Sequence, residues 1–196
     1  MDAAERLPTP QGPAPGEAEH DSLALVNTEY ALPGGPYEGL PDGVAAGRWL
    51  RERGFGGAGK VTQAELRRLR MLREAVRAVF SAHIAGEGPD DRSLKCVNEA
   101  LAAAPGVREL TWSAEGPRLA VRERSGTRME AVLTQLAEDG AELLTGESAT
   151  KLSACGAQGC TRLFIRAHAA RRWCSDRCGN RVRAARHYGG RGRGVE

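Results

Sequence analysis

Residues 155–181 read CGAQGCTRLFIRAHAARRWCSDRCGNR, and four of the five cysteines of the chain lie in this stretch. Cys155 and Cys160 form a C-x4-C pair, and Cys174 and Cys178 form a C-x3-C pair. Two short pairs across a hairpin-length spacer let each pair present two thiolates to one ion. The spacing therefore predicts one structural Zn²⁺, with no open position for a catalytic water. Free structural cysteines or a redox pair are the alternatives.

The residues between these cysteines predict a small, metal-dependent fold. Gly156 and Gly159 suit the tight turn of a zinc knuckle, and residues 161–165 and 169–173 are expected to form a hairpin. A helix is expected from Cys174, because positions i and i+4 share one helical face. The order of knuckle, hairpin and helix resembles a treble clef. A module of about 35 residues has too small a hydrophobic core to fold alone, so metal binding would supply folding free energy.

The charge of the chain is divided unevenly. Residues 151–196 carry a net charge of +9, whereas the remaining residues carry −6. A helical wheel places Cys178, Val182 and Ala185 inward and displays the arginines. Displayed arginines favour contact with phosphates, and a solvated or protein-facing surface is the alternative. The expected nucleic-acid contacts are Arg171, Arg172, Arg177, Asn180, Arg181, Arg183 and Arg186.

The composition of the 196 residues, 41% hydrophobic and 27% charged, is that of an ordinary globular protein. No apolar run is long enough for a membrane helix, and the acidic, proline-rich start is unlike a secretory signal. We therefore expect a cytoplasmic protein without a membrane partner. Residues 1–20 lack hydrophobic periodicity and are expected to be a disordered leader.

Hydrophobic periodicity predicts a mainly helical domain over residues 21–148 with one β-hairpin, and an α+β chain overall. The clearest helix is Gln63–Ala85, which a T-x-x-E capping box begins. Alternation predicts the hairpin over residues 107–113 and 117–124. The other expected helices span residues 22–30, 44–53, 91–104 and 127–144, with a loop at 32–43 and a linker at 145–148.

Two further patterns concern small ligands. Asn27, Arg70 and Arg73 could line a small-anion pocket between helices, and the alternative is a packing asparagine beside surface arginines. The segment from Gly54 to Lys60 matches G-x4-G-K, the start of a phosphate-binding loop. A helix rather than a strand is expected before it, so we interpret it as a loop between helices.

The stretch RRWCSDRCGNR at 171–181 resembles the CGNR zinc-finger family, whose name-giving motif stands at 178–181. The preceding part resembles the ABATE domain that accompanies this finger, through LVNT at 25–28, LRMLREAV at 69–76 and NEAL at 98–101. The resemblance implies a bacterial, zinc-binding regulator of transcription, with a stress-related role for the ABATE part. The finger would then span residues 149–190, followed by a flexible basic tail at 191–196.

These observations predict a regulator whose finger contacts DNA and whose N-terminal domain senses a ligand or mediates oligomerisation. A homodimer would strengthen the weak binding of a single finger. A finger that binds RNA or a protein partner as an adaptor is the alternative, because treble clefs serve all three uses. An enzyme acting through the N-terminal domain is a third hypothesis, but no catalytic residues are visible, and we expect none.

Overall fold

The computed structural model describes residues 11–55, 60–123 and 126–191. Within these ranges, six α-helices and three two-stranded antiparallel sheets follow one another. In chain order they are α1 (Asp21–Val26), β1 (Glu29–Leu32), β2 (Gly35–Glu38), α2 (Gly43–Glu52), α3 (Gln63–Ala85), α4 (Asp91–Ala103), β3 (Gly106–Ser113), β4 (Gly116–Glu123), α5 (Arg128–Thr145), β5 (Leu152–Ala154), β6 (Leu163–Ile165) and α6 (Asp176–Arg191). The expected α+β class, with a helical body followed by a finger, is confirmed.

The two long helices begin at capping boxes. Thr62 accepts a hydrogen bond from the backbone N–H of Glu65, whose carboxylate accepts one from the backbone N–H of Thr62. Thr127 and Glu130 repeat the arrangement at the start of α5. Each box satisfies two backbone donors that a helix end leaves unpaired.

Helix α3 forms the centre of the body, and its buried leucines pack against α1 and α5. The same hydrophobic cluster includes Leu152 of β5 and Leu163 of β6. The core of the body therefore continues into the finger. The segment expected to be a linker leads directly from α5 into a short 3-10 helix, Ala149–Lys151, and then into β5.

The region of residues 22–43 differs from its prediction. Helix α1 ends at Val26 rather than at residue 30. Just after this end, the Thr28 hydroxyl donates a hydrogen bond to the carbonyl of Leu25. A second hairpin, β1–β2, replaces the end of the expected helix and the start of the expected loop, and in it Tyr30 pairs with Tyr37. Their ring centroids are 4.8 Å apart. A Ser or Thr hydroxyl that hydrogen-bonds to a nearby backbone carbonyl favours the end of a helix over its continuation.

Strands β3 and β4 form the predicted hairpin, with eight residues paired on each strand. Gly116 has a φ of 107°, a left-handed value that suits glycine at the turn. The two strands contact each other, but among the described elements neither makes a substantial contact with a helix or with a strand of another sheet. We call this projecting hairpin the arm.

The hairpin within the finger was predicted with the wrong partner. β6 lies within residues 161–165 as expected, but it pairs with β5, not with residues 169–173. Residues 169–173 form a turn followed by irregular backbone, and the carbonyl of Arg172 accepts a hydrogen bond from the backbone N–H of Gly156. Helix α6 starts two residues later than expected, and Ala185, expected inward, is exposed.

The expected disordered leader is wrong for residues 11–20, and residues 1–10 lie outside the described ranges. Ala14 is buried in the hydrophobic cluster of the finger, and the carbonyl of Pro15 accepts a hydrogen bond from the backbone N–H of Ile165. A sequence without apolar periodicity can still order by packing onto a separate element. We call residues 11–17 the strap.

The remaining predictions fall partly outside the described ranges. Residues 56–59 of the G-x4-G-K segment and residues 192–196 of the tail lie there, whereas Gly189, Gly190 and Arg191 belong to α6. Helix α2 precedes the glycine-rich segment, as expected. No helix in the part of the chain described combines the length and apolar character that crossing a membrane requires.

Candidate metal centre and basic surface

The four cysteine sulfurs converge on one point. All four side chains are buried, and their sulfurs lie within 4.8 Å of one another. The Sγ atoms of Cys160 and Cys174 are 3.8 Å apart, as are those of Cys174 and Cys178. A tetrahedron with Zn–S bonds of about 2.3 Å has edges of about 3.8 Å, so these two sulfur pairs already stand at zinc-binding distances.

Backbone and side-chain groups hold this arrangement. The backbone N–H of Cys174 donates to the sulfur of Cys155, and the Ser175 hydroxyl accepts a hydrogen bond from the backbone N–H of Cys178 at the start of α6. Gln11 of the strap lies against the sulfurs of Cys174 and Cys178, at 3.9 Å, and its Oε1 accepts from Ser175. Such outer contacts fix the orientation of ligands around a metal.

Four thiols this close cannot all ionise without a cation between them. Hydrogen bonds from Cys160 and Cys174 lower the pKa of Cys155, and hydrogen bonding to Cys155 raises the pKa of Cys160 and of Cys174. A divalent cation stabilises all four thiolates at once, so metal binding and loss of the remaining protons are coupled.

The expected nucleic-acid contacts differ in how firmly the finger holds them. Arg172, Arg177 and Arg186 are exposed. Arg171 donates to the carbonyl of Trp173 at 3.1 Å, and Arg181 donates to the carbonyl of Gln158 at 3.1 Å. The latter two are half-buried, so part of their hydrogen-bonding capacity is used inside the finger.

Arg183 is held by its neighbours while remaining exposed. Its guanidinium lies 5.8 Å from the centroid of the Trp173 ring and donates to the side-chain oxygen of Asn180. The expected contact set contains six arginines. None of them forms an ion pair with a carboxylate of the described residues. Their positive charge is therefore not neutralised within the fold.

Two family models match the chain, in the order body and then finger. Residues 19–147 match the ABATE model, described as "Putative stress-induced transcription regulator", and residues 151–191 match the CGNR zinc finger. The chain belongs to the ABATE family. No curated protein matches it. The four buried cysteines of its CGNR finger fit one structural zinc ion, as predicted.

Asn27 joins the ABATE domain to the finger. Its Nδ2 donates to the carbonyl of Leu163 at 2.8 Å, and its Oδ1 accepts from the backbone N–H of Leu163 at 3.0 Å. Nδ2 also donates to Glu17 of the strap at 2.7 Å. The buried amide is thus a structural link between β6, α1 and the strap rather than a free ligand group.

Arg70 and Arg73 of the ABATE domain, predicted to line a small-anion pocket with Asn27, are both held by internal partners. Arg73 is buried in ion pairs with Glu38 and Glu29, at 2.8 and 3.0 Å. Burial alone would lower the pKa of Arg73, but the neighbouring carboxylates outweigh it and raise this pKa. Arg70 donates to the carbonyl of Leu40. Buried guanidinium groups require such partners.

Asn27 lines a different cavity of about 300 Å³ where the ABATE domain, the strap and the finger meet. The aromatic rings of Tyr30, Tyr37 and Trp49 contribute to its wall. Arginines 48, 53 and 162 and glutamates 17 and 52 also line it. A cavity of this size, with rings and both signs of charge, could hold a compact polar metabolite.

Sequence reasoning missed the pair of Arg162 and Glu17. Arg162 is 2% exposed, its guanidinium is 2.7 Å from the Glu17 carboxylate, and it lies over the Tyr30 ring. The charge of Arg162 was counted as part of the displayed basic segment, yet it is internal and paired. The only local sign that Arg162 could be buried was its place directly before the apolar residues 163–165.

Proposed function

We propose that this ABATE-family protein is a bacterial transcription regulator that contacts DNA through its CGNR finger. The observation that carries the proposal is the set of arginines on one metal-held module with no carboxylate partner among the described residues. Guanidinium groups displayed in this way suit phosphate contacts, and those near the start of α6 suit base edges. The thiols favour a reducing compartment, so the proposal places the protein in the cytoplasm.

The proposal assigns the contacts unequally. Arg172, Arg177 and Arg186 are free to reach phosphates, whereas Arg171 and Arg181 would position the backbone segments that carry them. Arg183, stacked on Trp173 and bonded to Asn180, is pre-ordered and is the better candidate for reading a base edge. No catalytic step is included, because four cysteines occupy every position of a tetrahedral zinc ion.

The test is a titration of a fluorescent mixed-sequence duplex with zinc-loaded protein across a salt series. The variant Arg177→Ala with Arg186→Ala is expected to weaken binding and to reduce the salt slope by about 0.9 for each phosphate that is no longer bound. Arg92→Ala on α4, which removes an exposed arginine from the ABATE domain, serves as the control. Equal affinity of the double variant and the wild type would overturn the assigned contacts.

A second candidate is an adaptor that binds a protein or RNA. A groove of about 750 Å³ runs between the knuckle and α6, and Val182, Ala185 and Pro33 give it an apolar floor between Arg181 and Arg186. A peptide with apolar and acidic side chains fits this chemistry. Competition distinguishes the candidates: an acidic peptide or single-stranded RNA that displaces duplex DNA at equal salt would favour the adaptor.

For the ABATE domain, we propose ligand sensing at the 300 Å³ cavity. Its wall combines Arg162 of the finger with helices α1 and α2, so an occupant would contact both parts of the chain. A thermal-shift screen of polar metabolites tests this. A genuine ligand should stabilise the wild type but not Ala45→Trp, which places a large ring in the cavity, and equal stabilisation of both would contradict the site.

A further inference from the structure

In its outer half, next to the turn, the arm presents one apolar face and one polar face. Its register places Leu110 opposite Leu119 and Trp112 opposite Pro117, and strand alternation puts these four side chains on one face. The other face carries Thr111, Ser113 and Arg118 among its residues. This is the pattern of a sheet whose apolar side is covered by a second layer.

Nothing in the described part of the chain covers the apolar face. Leu110, Trp112 and Leu119 are 71%, 76% and 62% exposed, and Pro117 is exposed as well. The first three are half of the large hydrophobic side chains exposed within the described residues, and they are gathered on a single hairpin. A two-stranded hairpin without a packed face is marginally stable in water, so the arm gains from a partner layer.

We propose that the arm is a self-association surface, and that its partner is the arm of a second copy of this chain. The four face side chains carry no charge, so a two-fold axis across the face brings apolar groups together without repulsion. Two such hairpins stack like the two layers of a β-sandwich, about 10 Å apart. A second copy is the partner that always supplies the matching face.

The area of the face sets the strength of the association. Covering Trp112 removes about 150 Å² or more from water, and each leucine removes about 60–120 Å². Two copies therefore bury about 550–1,000 Å² in total, below the roughly 1,200–2,000 Å² of stable complexes. The dimer is weak and reversible, with a Kd of about 1–100 µM.

This inference extends the proposed regulator, because two linked fingers would bind one duplex more tightly than one finger. Its test nevertheless uses no DNA, so the two proposals can fail separately. Full-length, zinc-loaded protein is studied by sedimentation velocity from about 1 to about 300 µM. We expect a shift from monomer to dimer, and a monomer at every concentration would overturn the proposal.

Matched variants assign the association to the face. Leu110→Lys with Leu119→Lys is expected to weaken it at least tenfold. Thr111→Lys with Ser113→Lys adds the same two charges to the opposite face and is expected to retain most of it. Zinc content and far-UV circular dichroism verify the fold of both. Equal association of the two variants would contradict a face-specific contact.

A second measurement needs no substitution. Backbone amide resonances of residues 109–119 are expected to shift with protein concentration, whereas those of residues 176–183 in α6 are not. Concentration-dependent shifts confined to α6 would overturn the arm as the interface. Binding of the monomeric wild type to phosphatidylcholine vesicles, lost in the Leu110→Lys, Leu119→Lys variant, would also overturn it and identify a lipid surface as the occupant.

Discussion

The side chain of Asn27 pairs with the backbone of Leu163 as a neighbouring β-strand would, donating to its carbonyl at 2.8 Å and accepting from its N–H at 3.0 Å. An amide side chain can do this because it offers a donor and an acceptor side by side. Through this pair, the residue directly after α1 takes the place of a strand beside β6. The connection between the ABATE domain and the finger is therefore a specific hydrogen-bonded contact rather than a flexible linker.

The substitution Asn27→Ala should destabilise the protein by about 2–4 kcal/mol. It leaves the buried N–H and carbonyl of Leu163 without partners, and each such group costs about 1–3 kcal/mol. Urea unfolding followed by circular dichroism measures the loss. The control Asn98→Ala, on the exposed face of α4, should change stability by about 0.5 kcal/mol or less. Equal effects at the two positions would show that the contact with Leu163 contributes nothing.

The pair of Glu17 and Arg162 should respond asymmetrically to substitution. Glu17→Ala leaves a buried guanidinium without its carboxylate and should cost about 3–5 kcal/mol. Adding Arg162→Met to it removes the uncompensated charge, so the double variant should recover part of the loss. A double-mutant cycle from urea unfolding gives the coupling between the two side chains. Additive losses would mean that the pair does not act as a unit.

Substitution of single cysteines should separate the metal ligands from the remaining thiol. Cys178→Ser is expected to bring the zinc content well below one ion per chain and to speed zinc transfer to a chelator at least tenfold, because a hydroxyl is a poor zinc ligand. Cys96→Ser, on α4, should retain one zinc with wild-type kinetics. Elemental analysis and a chelator assay measure both. Full zinc retention by Cys178→Ser would remove this residue from the ligand set.

Glu38 should give the body an acid-sensitive contribution to stability. Burial raises the pKa of Glu38, but hydrogen bonds from Arg73 and from the backbone of Leu40 outweigh it and hold the pKa below its ordinary 4.5. The contribution of the carboxylate is complete above that value and disappears as the pH falls through the lowered pKa.

The measurement is Tm against pH for the wild type and Glu38→Gln. The wild type should have the higher Tm near pH 7, and the difference should shrink as the pH falls below about 4.5. Zinc loss at acid pH affects both proteins and cancels in the difference. A difference that stays constant down to about pH 3 would show that the Glu38 charge is not responsible.

Local signals in the sequence predicted most of the body. The capping box at Thr62 and Glu65 and the periodicity after it identified α3 correctly, and alternation identified the arm. These signals work because they depend on neighbouring residues alone. Hairpin β1–β2 was missed because its strands are only four residues long: the start of β1 was assigned to the preceding helix, and β2 lies within a segment rich in glycine and proline.

The four zinc ligands could also be predicted, because their spacing is itself the geometric requirement. The partner of β6 could not, since residues 152–154 and 169–173 both fit a short strand and only tertiary packing decides between them. The roles of Gln11, Glu17 and Arg162 depend on contacts across about 150 residues, which no local pattern encodes. The internal partners of Arg70 and Arg73, Leu40 and Glu38, likewise lie about 30–35 residues away and are not encoded locally.

The strap makes the finger depend on a segment that the ribosome synthesises well before it. The carboxylate of Glu17 can form its ion pair only after Arg162, which lies 145 residues later in the chain, has been synthesised. During synthesis, the strap therefore cannot complete its docking before Arg162 has been added to the chain. A chimaera that exchanges the finger at residue 149 would leave the strap behind, so the new finger would meet Gln11 and Glu17 without the partners that Arg162 and Ser175 give them here.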